Sequence, residues 1–432
     1  MILIVYTSTS NDDLVKRLGR PEYSYRFVVR EFMPLLAEFG KVVEVNDPER
    51  EVDAIYATAS ARGEGCLFLC FMPPNKTPFR LQCPTVSVFA WEYESLPNEA
   101  FQERPRNDWT RVLGRLGSAI THSSYVVERT KAALGEDFPI TSIPAPLWDR
   151  MQKLHAFPPE QRCISFHGIA LDSSQLDLSA YSNNALKNTP EGEVPLPASA
   201  IQALNVVPLE GVVYTSIFNP LDGRKNWRTM ISAFCEALRD KADATLLIKL
   251  THYDPDKAIP WMLQQLHQAG DMRCRVLLVH AYLSDTAYRD LIHCTTYAIN
   301  SSHGEGQCLP LMEYMSAGKP AIAPRHTSML DYIDSNCAFV VDCTPEIGSW
   351  PHDQRQAYRT LRQRIHHSSL VDAFRNSYYI ARHEPDTYLG MSEAARLSLR
   401  RYCSMDVARN KLSEFLANHV ETPVVQMAGL SR

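Results

Sequence analysis

No stretch of this sequence approaches the roughly 18 consecutive apolar residues of a membrane-spanning helix. Nothing basic precedes the first apolar run, MILIVYTSTS, as it would in a secretory leader, so that run reads as a buried first strand. Charge of one sign is scarce as well. Lys+Arg 44 stand against Asp+Glu 49, a formal net charge of -5, which argues against a chain built to bind nucleic acid. The 11 cysteines form no CxxC pair and no Cys/His cluster with zinc spacing. Cys66, Cys70, Cys163 and Cys274 lie in or beside apolar runs, where a thiol packs as a small hydrophobe. A reduced, cytosolic protein is expected. Repeats with periods of about 20–50 residues and coiled-coil heptads are lacking too.

What is present is a chain of 432 residues, too long for one ordinary domain, with 45% hydrophobic and 22% charged residues. Short β-branched runs alternate with amphipathic ones, the pattern of parallel sheets wrapped by helices. In the first half the expected strands are ILIVYT (2–7), KVVEV (41–45), DAIYAT (53–58), CLFLCF (66–71), TVSVFAW (85–91), SAITHSS (118–124) and ITSIPAP (140–146). A helix over 24–40 is expected to close on Gly40 as a left-handed cap. Residues 169–211 are rich in Ser, Asn and Pro and read as an irregular connection. Alternation restarts at VVYTSIF (212–218) and runs through CAFVVD (337–342). The expected fold class is α/β, with two Rossmann-like doubly wound domains facing a cleft. Residues 1–205 form the first and 206–390 the second, and a helical segment at 391–432 crosses back to the first.

The most informative stretch is NSSHGEGQCLPLMEYMSAGKP (300–320), read as strand, glycine turn, helix, glycine stop and strand. Gly304 and Gly306 are expected to take positive φ and let a ligand approach the backbone. The helix opening at Leu309 would point unpaired N–H groups into the same crevice. Glu305 lies in the turn and Glu313 one turn into the helix, with seven residues between them. Carboxylates beside a phosphate-friendly turn suit hydroxyl donors, sugar or ribose. Taken singly, either glutamate also reads as a solvated carboxylate. A second constellation, YTSIFNPLDGRKNW (214–227), puts Arg224 and Lys225 in a loop off the carboxyl end of a strand, where cations would neutralise a diphosphate.

Taken together, the segment from Val212 to Asp342 resembles the donor-binding domain of retaining glycosyltransferases of the GT-B fold, specifically glycosyltransferase family 4. Glu305 and Glu313 match that family's paired-glutamate motif, and Lys225 falls where the family keeps a diphosphate-binding lysine. Asn219 stands where an arginine is usual, and Arg224 is the candidate to supply that charge. No glycine-rich turn follows the first strand, and FAWEYESLP places Glu92 or Glu94 where the family has a histidine.

The resemblance implies a nucleotide-sugar donor, GDP- or UDP-linked, and a glycan or lipid-linked glycan acceptor of surface polysaccharide biosynthesis. Glu305, Lys225 and Arg224 would carry catalysis. Glu313 would hold the ribose, and the amides of Gln307, Cys308 and Leu309 the diphosphate. Tyr282 and Leu283 would lie near the base, with Glu92, Glu94 and His122 on the acceptor side. Neither metal nor other cofactor is implied. Asp254-Pro255-Asp256 is a D-x-D of the metal-chelating kind, but in a proline loop it reads as a turn. His303 adjoins the motif, and Lys16, Arg17, Arg20, Arg26 and Arg30 read either as a solvated helix face or as a contact for acidic lipid at the inner membrane face. Two other classes remain open: a nucleotide-sugar epimerase or sugar phosphorylase of similar architecture, and a non-catalytic nucleotide-sugar binding protein.

Overall fold

The computed structural model describes residues 1–10, 18–20, 22–154, 162–182 and 196–419. Two parallel sheets dominate it. The first is built from β1 (Ile2–Tyr6), β2 (Lys41–Glu44), β3 (Cys66–Cys70), β4 (Thr85–Val88), β5 (Ala119–Thr121) and β6 (Ile140–Ser142), in the order β2-β1-β3-β4-β5-β6. Helices cover both faces, so its central strands are unbroken apolar runs; every residue of β3 is buried. The helix Tyr23–Phe39 lays Phe32, Leu35 and Leu36 on that sheet at 1%, 0% and 0% exposure, each such burial worth about 1.5–3 kcal/mol. Gly40 closes it in extended backbone and not in the left-handed region. Its missing Cβ matters for another reason, since one would lie 2.2 Å from the Met1 carbonyl oxygen.

DAIYAT (53–58), expected as a strand, is the middle of a helix, Pro48–Ala61. Pro48 at the first helical turn presets φ, Glu49 and Glu51 suit the positive helix end, and Glu51 accepts from the amides of Asn46 and Asp47. That start signal, with Val52 and Ala59 buried on one side, outweighs the β-branched look of six residues.

The second sheet comprises β7 (Cys163–Asp172), β8 (Ala203–Pro208), β9 (Val212–Phe218), β10 (Ala244–Leu250), β11 (Arg275–His280), β12 (Tyr297–Ile299), β13 (Ala321–Pro324) and β14 (Ala338–Val341). Their order is β14-β13-β12-β9-β10-β11-β7-β8. β7 pairs antiparallel with β11, and β8 antiparallel with β7. The expected boundary at 205 is therefore too late. The stretch read as an irregular connection contains part of a ladder that extends the second sheet, and β7 begins that sheet at Cys163. Ser, Asn and Pro hide this ladder because β7 and β8 form an edge with one face to solvent.

Beyond β14 the chain forms an antiparallel hairpin, β15 (Cys343–Ser349) with β16 (Tyr358–Ile365). It projects onto the first unit. Trp350 is 1% exposed, stacks on Phe101, and donates its indole N–H to the Ser95 carbonyl at 3.2 Å. Nearby His352 stacks on Trp109. The C-terminal helical segment is three helices, His367–His383, Pro385–Cys403 and Met405–His419. The second packs Ala395 and Leu399 into the core of the second unit, and the third packs Leu412 and Phe415 into the core of the first. Among the described residues no helix is long and apolar enough to cross a membrane.

Candidate functional site

In the second sheet β9 lies between β10 and β12, and the chain runs outward in opposite directions from it. Open α/β sheets bind ligands outside the carboxyl ends of strands at such a reversal. The loops after β9 (219–226) and after β12 (300–308) meet there. The His303 amide donates to the Arg224 carbonyl at 2.8 Å, and Arg224 Nη1 donates to the Gly304 carbonyl at 3.1 Å.

Lys225 and Glu305 form the centre. Lys225 Nζ lies 2.7 Å from Glu305 Oε1, with side chains 17% and 5% exposed. The same oxygen accepts from Asn300 Nδ2 at 2.9 Å and Ser302 Oγ at 2.6 Å, while the Glu305 amide donates to Thr327 Oγ1 at 3.0 Å. Burial alone would raise the carboxyl pKa of Glu305, but Lys225 and Arg224 outweigh it and hold the group at about 2. A carboxyl depressed by folding contributes stability that is complete above its unfolded value and lost as pH falls toward about 2. Melting temperature measured against pH should therefore fall less steeply below pH ~4 in Glu305→Gln than in the parent. Superimposable acid limbs would contradict this placement of the charge.

Arg224 is held by carboxylates from both units. Its guanidinium lies 2.7 Å from Asp222 and 2.8 Å from Glu92, which belongs to the loop after β4. Burial opposes its charge, and Glu92 and Asp222 overcome that opposition. Glu92 itself is raised, because its burial exceeds what Arg224 returns. Gly304 and Gly306 do not take the positive φ expected of them; the left-handed residue of the turn is Cys308, at φ 61. Their role is to admit the other unit. A Cβ on Gly304 would lie 2.6 Å from the Glu92 carbonyl oxygen, and one on Gly306 2.7 Å from the Ala90 Cβ.

Glu313, expected to hold a ribose, is buried on the helix Leu309–Ser316. Both oxygens are engaged, one by Arg150 at 2.8 Å and the other by the Tyr288 hydroxyl at 2.6 Å. Arg150 also reaches Glu31 at 2.9 Å and so ties the two units together. Asn219 donates to the Gly19 carbonyl of the first unit at 2.8 Å. Gln307 is buried, and its carboxamide has no hydrogen bond among the described residues. Leu309 packs against the cores of both units. Tyr282 is 42% exposed beyond β11, followed by half-buried Leu283.

Of the residues expected on the first unit's side, only Glu92 reaches this centre. Glu94 pairs with Arg129 and accepts from the Tyr125 hydroxyl. His122 is fully buried with Nδ1 2.9 Å from the Ile143 carbonyl, and burial lowers it to about 4, so it is neutral near pH 7. His303 turns to the Gln363 carbonyl at 2.7 Å. In the D-x-D, Asp254 pairs with Lys257 at 3.3 Å as the sequence turns. Among the described residues no group of three or more His, Cys, Asp or Glu is placed to hold a metal. Of the basic N-terminal set, Arg26 pairs with Glu44, Arg20 lies over Tyr253 and Arg30 over Phe27. Lys16 and Arg17 lie outside the described residues. Asp222, Asn300, Ser302, Arg150 and Tyr288 join the site without having been expected there. The first three stand within five residues of Arg224 or Glu305 and could have been found there, whereas Arg150 comes from 163 residues away from its partner Glu313.

No family model and no curated protein matches this sequence. Solved structures do match. HepE from Anabaena, in complex with UDP and glucose, superposes with a TM-score of 0.52 at 13% identity, covering 96% of this chain and 99% of that one. Sucrose-phosphate synthase from Thermosynechococcus elongatus gives 0.54 at 14%, over 96% and 98%. A glycosyltransferase from Rickettsia africae gives 0.52 at 12%, over 96% and 97%. The fold is GT-B. In GT-B terms the cleft lies between the carboxyl edges of the two sheets, and Arg224 with Glu92 spans it.

Proposed function

We propose that this chain is a retaining glycosyltransferase that takes a sugar from a nucleotide-diphosphate donor and passes it to a glycan or lipid-linked glycan acceptor. The observation that carries this reading is the buried Lys225–Glu305 pair, 2.7 Å apart, with Arg224 beside it at the reversal point of the second sheet. Two cations there match a pyrophosphate in charge, and the carboxylate against Lys225 suits the alcohols of the attached sugar. A UDP-sugar is the proposed donor, in keeping with the UDP-glucose captured in HepE.

On this reading the donor exchanges partners with the residues that neutralise each other in its absence. Phosphate oxygens take Lys225 and Arg224, and sugar hydroxyls take Glu305. Charge builds on the leaving phosphate as the glycosidic bond breaks, and the two fixed cations stabilise it without reorganising. The leaving oxygen accepts the acceptor's proton on the same face, so the configuration is retained and no strong base is needed. Glu92, on the facing unit, borders the acceptor side. Surface-polysaccharide assembly in the cytoplasm, at the inner membrane face, is the proposed setting.

Cations of the chain would do the work of a divalent ion, so transfer should persist in excess EDTA; abolition by EDTA with rescue by Mn²⁺ would overturn the metal-independent mechanism. The donor test is a thermal-shift panel of UDP-, GDP-, ADP- and CDP-sugars, followed by product analysis. Transfer with the anomeric configuration kept supports the proposal. Epimerised donor without transfer, or tight binding without turnover, would refute it.

A further inference from the structure

A cavity of about 490 Å³ lies at the root of the β15–β16 hairpin, lined among others by Asn226, His303, Thr344, Arg364, His366 and His367. It is separate from the Lys225–Glu305 centre but shares backbone with it, because Asn226 follows Lys225 and His303 precedes Gly304. Gln363 and His303 join its walls: the Gln363 amide donates to the His303 carbonyl at 2.9 Å.

One carboxylate, Glu346, lines this cavity together with Arg364 and three histidines. Thr344 pairs with Arg364 across the hairpin and Glu346 with Arg362, so these four side chains share one face. Glu346 is taken by Arg362 at 2.8 Å. Arg364 has no ion pair among the described residues. The imidazoles of His303, His366 and His367 line the same cavity. That of His366 lies 3.2 Å from the Thr344 hydroxyl, and that of His367 lies 3.7 Å from Glu236. The helices Trp227–Leu238 and His367–His383 also begin at this cavity. Neither has a side-chain cap, and neither carries an acidic residue in its first turn. Their uncompensated N–H groups add to the positive potential set by Arg364.

We infer that this cavity is a binding site for a phosphoryl group, anchored by Arg364 and the surrounding imidazoles, on a molecule whose polar body meets Asn226, Thr229 and Thr344. Its volume exceeds that of a bare phosphate and falls in the range of small-molecule sites. The inference does not depend on the transferase reading, since none of Arg224, Lys225 and Glu305 lines the cavity.

Inorganic phosphate is the probe, titrated into the full chain by calorimetry and followed by the histidine side-chain NMR signals. Phosphate should bind, with shifts at His303, His366 and His367. Arg364→Ala should weaken binding about tenfold or more, the effect of losing a charge-assisted hydrogen bond, and Arg364→Lys should retain part of it. Arg364 is exposed, so neither variant threatens folding. Equal phosphate affinity in parent and Arg364→Ala, or shifts that spare these three imidazoles, would overturn the inference. So would UDP that competes with phosphate and moves the same signals, because the cavity would then belong to the donor site. Phosphate binding here alongside failure of every nucleotide-sugar would leave this site standing and remove the transferase reading alone.

Discussion

Lys225→Ala should abolish most of the affinity for a nucleoside diphosphate, by about 100-fold, while affinity for the free nucleoside changes little. The expected size follows from losing a buried charge-assisted contact to phosphate, about 1.5–3 kcal/mol, with Arg224 left against a stronger pull from Glu305. The substitution has a second cost. Glu305 is 4% exposed, and removing the cation beside a buried carboxylate costs about 3–5 kcal/mol of stability. The two effects separate in the double variant Lys225→Met/Glu305→Gln. It removes both charges together, so melting temperature should recover most of the loss while diphosphate binding stays absent. Calorimetric titration with UDP and with uridine, run on both variants, checks this. Equal losses for the two ligands would remove the diphosphate role, and a double variant as unstable as the single would mean that the pair is not a coupled unit.

Trp350→Ala should destabilise the protein by about 3–5 kcal/mol, as for other large aromatic truncations in cores. That is a sizeable share of the ~5–15 kcal/mol by which domains are stable. Trp350 is 1% exposed and fills a nest made by the first unit: Phe101 lies 6.5 Å away ring to ring, and Ser95 accepts its indole N–H. Trp350→Phe keeps the ring but not the donor and should lose far less. Chemical denaturation checks both. The alanine variant should also uncouple the units, seen as a transition that separates into two steps. A single step with an unchanged midpoint would show that the hairpin tip contributes nothing to the join.

The second sheet was legible because β9, β10 and β11 are apolar runs with helices between them, the mark of strands buried on both faces. Glu305 and Lys225 were legible as well, since each stands in a loop whose neighbours announce a turn at the end of a strand. Three things were not. Residues 53–58 carry a strand's composition inside a helix whose start signal lies five residues earlier. β7 and β8 are half-solvated, and β8 even exposes Leu204 and Val206 at 73% and 63%, so neither periodicity nor polarity marks them clearly. One partner of Arg224, Glu92, comes from the opposite unit, and sequence spacing holds no record of an ion pair that forms only when two sheets face each other. Gly304 and Gly306 illustrate the same limit. Glycine predicts that something approaches closely, and here it is backbone of the same chain.

The peptide chain passes between the two units twice, after β6 and again near Ser404, and both passages lie side by side. Trp148 donates to the Arg396 carbonyl at 2.9 Å, and Asp149 accepts from the Met405 amide at 2.6 Å. Among the described residues the covalent ties between the lobes thus run through one paired strap. Any swing of one lobe against the other must pivot on that strap, and the β15–β16 hairpin, tied to the first unit by non-covalent contacts alone, is one of the catches that such a swing has to release.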